Sequence, residues 1–263
     1  MAARLPFWAP PVLAVQFLTR VPMPGTAGLT GEQVRIGLVR AVAWFPLVGT
    51  AIGAMTATVA LAAHILWPAL VAVLIALAFE ARLTGAFHED AVADFCDAFG
   101  GGQNADDVRR IMKDSRIGSY GSLGLILAVG LRAALMMAVI ETFAPLHAFL
   151  VITASGCFGR WLVVSLMAVI SPAPQGTGLA KDIGSGVTLP IWLLATATAL
   201  PGLLGLSILN PLAFGVALLG SAIFLWWFRG LLLRRIGGST GDCLGFAAYG
   251  GQLILLLAAT AAA

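Results

Sequence analysis

The sequence contains few charged residues. Aspartate, glutamate, lysine and arginine together make up 10% of its 263 positions, whereas hydrophobic residues make up 60%. A soluble domain is typically about 25% charged and about 45–50% apolar. These polar side chains are too few to cover the surface of a soluble protein of this length. A soluble globular domain is therefore excluded, and a polytopic membrane protein is indicated.

Cysteine and strong positive charge are also scarce. Cys96, Cys157 and Cys243 lie far apart without a CxxC pair, which excludes a disulfide framework and a cysteine-based zinc site. The formal net charge is only +3, whereas a nucleic-acid-binding domain carries a clustered basic surface. We therefore expect buried packing thiols and no nucleic-acid partner.

Long apolar runs, in contrast, are abundant. A membrane-spanning helix needs about 20 mainly apolar residues. Seven stretches meet this requirement, near 42–65, 67–87, 121–143, 146–170, 188–208, 210–228 and 243–262. The sequence thus predicts an all-α fold, a single integral-membrane domain over 1–263 with about seven transmembrane helices. Residues 1–41, interrupted by Pro10 and Pro11, are predicted to form a cytoplasmic or interfacial arm.

Lysine and arginine are distributed unevenly among the predicted connections. The arm and the loops after the second, fourth and sixth spans carry basic residues, and the three intervening loops carry none. These basic residues are Arg4, Arg20, Arg35, Arg40, Arg109, Arg110, Lys113, Arg116, Lys181, Arg229, Arg234 and Arg235. Under the positive-inside rule, this alternation predicts a cytoplasmic N-terminus and an external C-terminus in the cell (inner) membrane.

The carboxylates are concentrated, since seven of the twelve lie between residues 89 and 116. If the second span continues as a helix past residue 88, Asp90, Asp94 and Asp97 share one helical stripe. Like charges at this spacing repel, and a hard cation such as Mg²⁺, held together with substrate phosphates, would compensate them. Two alternatives stay open: a solvated acidic loop neutralised by downstream bases, and a transporter with a cytoplasmic cation site.

Basic residues follow the acidic cluster after a run of three glycines. Arg109, Lys113 and Arg116 have helical spacing, which predicts a basic stripe that faces the carboxylates and holds phosphate oxygens. The open alternative for these bases is contact with an anionic membrane surface. Residues 88–120 are therefore predicted to be a cytoplasmic catalytic segment for a nucleotide diphosphate and its metal.

Three further features are candidates for the same site. Residues 237–242 read GGSTGD, whose backbone N–H groups suit an anion and whose Asp242 suits a metal. Arg132 and Arg160 lie inside predicted spans, where arginine is costly; each is either an anchor for a phosphorylated group or the partner of a residue such as Glu80. His88 adjoins the acids as a base or as a hydrogen-bond donor to them.

The order of these motifs resembles that of the cobalamin synthase family, whose members are adenosylcobinamide-GDP ribazoletransferases. The matching runs are FLTRVP at 17–22, FPLVG at 45–49, HEDAVADFCD at 88–97, MKDSRIGSYG at 112–121 and GGSTGDCLG at 237–245. Ala91 departs from the glycine usual in the family, and we expect the backbone there to approach substrate less closely. Tyr249 and Gln252 stand in a stretch where members commonly carry glutamate.

The resemblance implies a transfer at phosphorus. A ribose hydroxyl of α-ribazole, or of its 5′-phosphate, would attack the cobinamide-bound phosphate of adenosylcobinamide-GDP and release GMP. Mg²⁺ is the expected cofactor, with Asp90, Asp94, Asp97 and Asp242 as ligands. Asp94, Asp97 and His88 are the expected catalytic residues. The expected substrate-binding residues are Lys113, Ser115, Arg116, Arg132, Arg160 and Thr240.

The expected partners are these small-molecule substrates and the lipid bilayer, and self-association or association with other corrinoid-pathway enzymes stays open. The nearest rival reading is a CDP-alcohol-type phosphotransferase, which also uses spaced aspartates on membrane helices. No Ala-Arg pair follows Asp90 at the spacing of that family.

Overall fold

The computed structural model describes residues 5–174, 183 and 187–262, so Arg4 and Lys181 lie outside the described residues. In these ranges the chain is helical, and its one isolated parallel bridge joins Pro172 and Ser239. The predicted all-α fold is confirmed. The helices are α1 (Ala9–Leu18), α2 (Gly31–Ala41), α3 (Phe45–His64), α4 (Ala69–Thr84), α5 (Phe87–Gly101), α6 (Ala105–Ile111), α7 (Ser119–Thr142), α8 (Pro145–Val169), α9 (Leu189–Leu209), α10 (Pro211–Ile236) and α11 (Gly241–Ala261).

Six helical segments of the described chain are long and apolar enough to cross a membrane. They are α2 together with α3, then α7, α8, α9, α10 and α11. A seventh crossing is provided if α4 and α5, which are bent by 90°, count as one broken span. By helix length and apolar composition, the predicted number of about seven transmembrane helices is confirmed.

The prediction that the second span continues unbroken into the acidic cluster is wrong. Gly85 and Ala86 both have positive φ angles, 76° and 56°, and this left-handed backbone ends α4. The 16 residues of α4 rise about 24 Å, most of the roughly 30 Å hydrocarbon core. After the bend, α5 lies across the end of the bundle, against the first turns of α7 and α11. We therefore treat α4 as the crossing and α5 as a helix outside it.

Helix α8 is the centre of the bundle. It packs against α3, α9 and α11, and 83% of its most apolar window is buried. Small residues allow these close approaches: a Cβ at Gly49 of α3 would meet the backbone of Gly156, and one at Gly251 of α11 would meet Gly159. Glycine is the residue that membrane helices use for such crossings.

The predicted arm is helical and packed onto the bundle. Pro10 and Pro11 lie in the first turn of α1, where proline costs no intrahelical hydrogen bond. Leu13 and Leu18 are buried, and the N–H of Arg20 donates to the carbonyl of Leu83. The arm thus lies at the end of the bundle where α4 ends and α5 begins.

The predicted cytoplasmic connections meet at this same end, since Arg235 Nη2 donates to the carbonyl of Gly102 (2.6 Å) and Ser239 pairs with the 171–173 segment. At the opposite end, Asn210 Nδ2 donates to the carbonyl of Ala262 (3.3 Å). The two termini of the described chain therefore lie at opposite ends, as an odd number of crossings requires.

Candidate active site

Four carboxylates come together where α5 meets α11. Asp90 is exposed and Asp94 and Asp97 are half-buried on α5, while Asp242 lies in the first turn of α11. Partial burial, and then the like charges of Asp90, Asp242 and Asp97, raise the pKa of Asp94 to about 6. The helix that carries the three α5 aspartates is not the predicted extension of the second span, but it does place them on one face.

The described part of the chain supplies this cluster with no neutralising cation. No lysine or arginine nitrogen lies within 4.0 Å of Asp90, Asp94, Asp97 or Asp242 among the described residues. The bases downstream instead pair with other acids, namely Arg109 with Asp106 (2.7 Å), Arg110 with Asp107 (3.2 Å) and Arg116 with Asp114 (2.7 Å). The downstream bases therefore do not neutralise the cluster.

The cluster is suited to a divalent cation that arrives with a phosphorylated substrate. Oxygen-only carboxylate ligands without a cationic partner match the preference of Mg²⁺. Within the described ranges, however, no three His, Cys, Asp or Glu side chains already surround one point as a closed site. Mg²⁺ typically uses one or two carboxylates and fills its remaining positions with water and substrate phosphates. The carboxylate oxygens of the cluster suit this way of binding Mg²⁺.

Asp97 has a second task that the sequence pattern did not reveal. Its Oδ2 accepts a hydrogen bond from the N–H of Gly118 (2.6 Å), and its Oδ1 accepts one from the N–H of Gly121 (2.7 Å). A carboxylate at this position satisfies unpaired N–H groups and faces the positive end of the α7 dipole. Asp97 therefore fixes the start of α7 against α5, and its roles as metal ligand and catalytic residue stay predictions.

The predicted basic stripe is wrong. Helix α6 ends at Ile111, so Arg109 is helical whereas Lys113, Ser115 and Arg116 lie on the turn that follows. Lys113, Ser115 and Arg116 are all exposed. Arg116 holds Asp114 through Nε (3.0 Å) and Nη2 (2.7 Å), and these hydrogen bonds lower the pKa of Asp114 to about 2. The turn still lies at the site, because Gly118 closes it onto Asp97.

The 237–242 loop makes structural connections at both of its ends, and its use as an anion cradle stays a prediction. Gly237 ends α10 with a φ of 75°, and the N–H of Ser239 donates to the carbonyl of Ser171 (3.0 Å). The N–H of Cys243 donates to Thr240 Oγ1 (3.4 Å), which begins α11. The same hydroxyl contacts the sulfur of Met112 (3.1 Å) and so joins the loop to the turn after α6.

The two intramembrane arginines have different environments. Arg132 is buried and donates to Glu80 (2.6 Å), and its Nη1 lies 3.7 Å from Glu89. Its guanidinium also lies 5.6 Å from the centre of the Tyr249 ring, within the range of a cation–π contact. Of the two readings left open by the sequence, the structure shows the ion pair with Glu80.

Arg160 has no such partner among the described residues. It is 1% exposed, its Nη1 donates to the carbonyl of Gly156 (3.3 Å), and its Nη2 lies 3.4 Å from His88 Nδ1. Because guanidinium nitrogens only donate, His88 Nδ1 is the acceptor in this contact. His88 therefore points into the bundle, away from the neighbouring acids to which the sequence had assigned it.

The prediction that the backbone at Ala91 lies beside the substrate is wrong. Ala91 is 3% exposed, and its methyl group lies where a side chain at Gly245 of α11 would be. The position is thus a packing contact between α5 and α11 rather than a surface for substrate. Of the other departures, Tyr249 covers Arg132, and Gln252 is buried with neither its Nε2 nor its Oε1 hydrogen-bonded to any described residue.

The fold also brings residues to the site that the sequence pattern did not indicate. Glu89 was counted only as one of the acids, yet it approaches Arg132 inside the bundle. Phe17 and Phe45 are stacked with ring centres 5.5 Å apart, and Phe87 meets Phe17 edge-on at 5.6 Å. All but Phe87 belong to the motifs quoted above, so the motifs marked these positions without indicating their roles. The three cysteines are free, as predicted.

Comparison with known proteins agrees with the motifs. The chain is 35% identical over 235 residues to an adenosylcobinamide-GDP ribazoletransferase of Sinorhizobium sp, covering 88% of each chain, and 38% identical over 239 residues to one of Rhizobium etli, again covering 88% of each. It is 35% identical to one of Shewanella frigidimarina, covering 89% of this chain and 87% of that one. No solved structure matches. The family profile described as cobalamin-5-phosphate synthase, CobS, matches residues 11–260, and the chain belongs to this family.

Proposed function

We propose that the protein is an adenosylcobinamide-GDP ribazoletransferase that joins its donor to α-ribazole, or to α-ribazole 5′-phosphate, in cobalamin synthesis. The names of relatives aligned over most of the chain support this activity. One structural observation carries it: Asp90, Asp94 and Asp242 converge without a cationic partner among the described residues. Such a cluster requires positive charge from a ligand, and a metal-bound diphosphate supplies it.

The proposed reaction replaces the phosphoanhydride bond between the cobinamide-linked phosphorus and GMP by a phosphate ester bond to the acceptor. A ribose hydroxyl oxygen of the acceptor forms a bond to the cobinamide-linked phosphorus, and the bond from that phosphorus to the bridging oxygen breaks. GMP leaves with the bridging oxygen, and the hydroxyl proton passes to a base. The product is adenosylcobalamin, or its 5′-phosphate when the acceptor carries one. Phosphoryl transfer of this kind depends chiefly on positioning and charge neutralisation.

The chain's own residues divide this work. Asp90, Asp94 and Asp242 would hold Mg²⁺, which when bound neutralises charge on the diphosphate. Asp94 is the candidate base, because partial burial, together with the other three carboxylates among which it lies, raises its pKa to about 6 in the metal-free protein. Asp97 holds the turn of residues 112–118 in place through Gly118, and from that turn Lys113 and Arg116 would reach the phosphate oxygens of the donor.

We also propose that this end of the bundle faces the cytoplasm of the cell that makes the protein. The support is the absence of lysine and arginine from the predicted loops at the other end. Reporter fusions after residue 102 and after residue 262 test the orientation. The first fusion should report a cytoplasmic location and the second an external one, and the reverse result would refute the orientation.

Purified protein in nanodiscs tests the activity. With Mg²⁺, the donor and either acceptor, the products should be GMP and the cobalamin compound in equal amounts. Removal of Mg²⁺ with a chelator should abolish turnover. A protein that moves a corrinoid or a cation across sealed vesicles but releases no GMP would be a transporter, and this result would overturn the proposed function.

A further inference from the structure

Two residues in the first turn of α5 point away from the acidic cluster. His88 and Glu89 face the bundle, whereas the next residue, Asp90, is exposed at the cluster. His88 is 4% exposed, and the side chain of Glu89 is 19% exposed. Successive residues of a helix point about 100° apart, so whatever holds His88 and Glu89 also sets the direction of Asp90.

Glu89 is joined to the bundle through Arg132 of α7. The Nη1 atom of Arg132 lies 3.7 Å from Glu89 Oε1, while its Nη2 donates to Glu80 Oε2 (2.6 Å). Glu80 lies on α4 and Glu89 on α5, so one guanidinium bridges the two sides of the bend at Gly85. A guanidinium is planar and rigid, with donors along more than one edge. The bend and the position of Glu89 are therefore coupled through Arg132.

Arg132 is itself held by other helices. It is 2% exposed, and its guanidinium lies 5.6 Å from the centre of the Tyr249 ring of α11. Its partner Glu80 also accepts a hydrogen bond from Thr56 of α3 (2.8 Å). A charge removed from water acts more strongly on its neighbours, because solvent and salt screen it less. Glu89 is thus attracted to a charge whose position α3, α4 and α11 fix.

His88 makes the second contact of the same turn. Its Nδ1 lies 3.4 Å from Arg160 Nη2 of α8, which has no carboxylate within 4.0 Å in the part of the chain that the structure describes. The two buried arginines therefore each contact one residue of the first turn of α5. At the far end of α5, Asp97 accepts the N–H groups of Gly118 and Gly121. Polar contacts thus hold α5 at both of its ends.

We propose that His88 and Glu89 are positioning residues, which hold the first turn of α5 on Arg160 and Arg132 so that Asp90 faces the metal site. This inference rests on the proposed function and adds to it two residues that act on the metal only through Asp90. His88 then transfers no proton. Because Ala91 still packs against Gly245, loss of either contact should leave α5 on the bundle and change only the orientation of its first turn.

Replacement of Glu89 by glutamine tests the contact with Arg132. The Mg²⁺ concentration for half-maximal turnover should rise about 10-fold, the lower end of what loss of a group that orients a metal ligand costs. The kcat at saturating Mg²⁺ should change less than about threefold, because the ligands themselves remain. Titration with Mn²⁺ alone, followed by electron paramagnetic resonance, should show the same weakening without turnover. The matched control is Glu141→Gln, an exposed glutamate at the opposite end of α7.

Conservative variants separate position from charge and from proton transfer. Glu89→Asp keeps the charge but is shorter by one methylene, so the Mn²⁺ concentration for half-saturation should rise at least about threefold. His88→Asn keeps an acceptor near the place of Nδ1 and should bind Mn²⁺ within about twofold of the wild type. His88→Leu has no acceptor, and its affinity for Mn²⁺ should fall about as far as that of Glu89→Gln.

Three results would overturn the inference. The first is a lower melting temperature of Glu89→Gln with unchanged dependence on Mg²⁺ and Mn²⁺, which would make the contact purely structural. The second is a wild-type response of Glu89→Asp beside an impaired Glu89→Gln, which would leave only the charge important. The third is equal loss of turnover in His88→Asn and His88→Leu with unchanged affinity for Mn²⁺, which would make His88 catalytic. A wild type that releases no GMP would refute the proposed function, while the Mn²⁺ titrations would still test the positioning.

Discussion

Carboxylates lie on both sides of the bend between α4 and α5, and the protein stabilises them in opposite ways. Glu80, before the bend, is 3% exposed and accepts hydrogen bonds from Arg132 (2.6 Å) and Thr56 (2.8 Å). Asp90 and Asp94, after the bend, lie near two further aspartates and near no described cation. The charge of Glu80 is neutralised by residues of the fold. The charges of Asp90 and Asp94 repel one another and have no neutralising partner among the described residues.

The difference indicates what each group is for. A buried carboxylate that is fully paired holds helices together, and removal of either partner leaves an uncompensated charge. A group of unpaired carboxylates at a helix crossing stabilises nothing within the chain, because the charges repel one another. We propose that a cationic ligand explains its presence. The same contrast separates Arg132, which pairs with Glu80, from Arg160, which has no carboxylate within 4.0 Å among the described residues.

The largest predicted effect is on catalysis by the unpaired group. Asp94→Asn should lower kcat/KM by about 10²- to 10³-fold, the cost of removing one electrostatic contact to the transition state. Its melting temperature should stay the same or rise, because the neutral amide relieves the repulsion from Asp90 and Asp242. Steady-state kinetics and thermal unfolding on the same preparation measure both. Asp106→Asn, an exposed acid outside the cluster, is the control. Near wild-type turnover of Asp94→Asn at low Mg²⁺ would contradict the prediction.

The paired group should show the reverse pattern. Glu80→Gln should destabilise the protein by about 3–5 kcal/mol, since Arg132 then keeps only Glu89 at 3.7 Å. The folded fraction should retain turnover within severalfold of the wild type. Replacing Arg132 by methionine in the same variant should recover much of the stability, because an apolar pair of similar volume avoids the unpaired charge. A Glu80→Gln protein that unfolds like the wild type would contradict the assignment of Glu80 to structure.

A smaller effect on stability is expected from substitutions where α5 packs against α11. A methyl group at Gly245 would overlap the methyl group of Ala91, so Gly245→Ala should cost about 1–3 kcal/mol. Adding Ala91→Gly should restore most of the loss. Unfolding curves of the two single variants and the double variant measure the coupling. Equal stability of Gly245→Ala with and without Ala91→Gly would show that α5 and α11 do not meet in this way.

These contacts show how far the sequence alone predicts the structure. Helix lengths and the positions of most spans follow from apolar runs of about 20 residues, a local property. The break at Gly85 and Ala86 was missed because alanine rarely adopts a positive φ, and only the packing of α5 on α7 and α11 explains it. The sequence predicted that Asp90, Asp94, Asp97 and Asp242 come together, and the structure does place them near one another. The task of Asp97, the burial of His88 and the pairing of Arg116 depend on chain reversals that spacing does not encode.

The smallest effect is expected from the exposed ion pairs. Hydrogen bonds from Arg116 lower the pKa of Asp114 from 3.8 to about 2, so any stability from this pair is present above pH 3.8 and is lost as the pH falls through 2. Solvent screens such a pair. Asp114→Asn should therefore melt within experimental error of the wild type at pH 7, and any difference should vanish by pH 2. A clear loss of stability at pH 7 would mean that the turn of residues 112–118 is more rigidly held than its exposure indicates.

The most direct test of the account is the equilibrium binding of labelled adenosylcobinamide-GDP to the wild type and to Asp94→Asn, each titrated with and without Mg²⁺ and without acceptor. The account predicts that the wild type binds the donor much more tightly with Mg²⁺ than without it. It also predicts that Asp94→Asn loses most of this dependence while keeping its fold. Equal dependence on Mg²⁺ in both proteins would show that the acidic cluster does not bind the metal and the diphosphate together, and it would contradict the central claim.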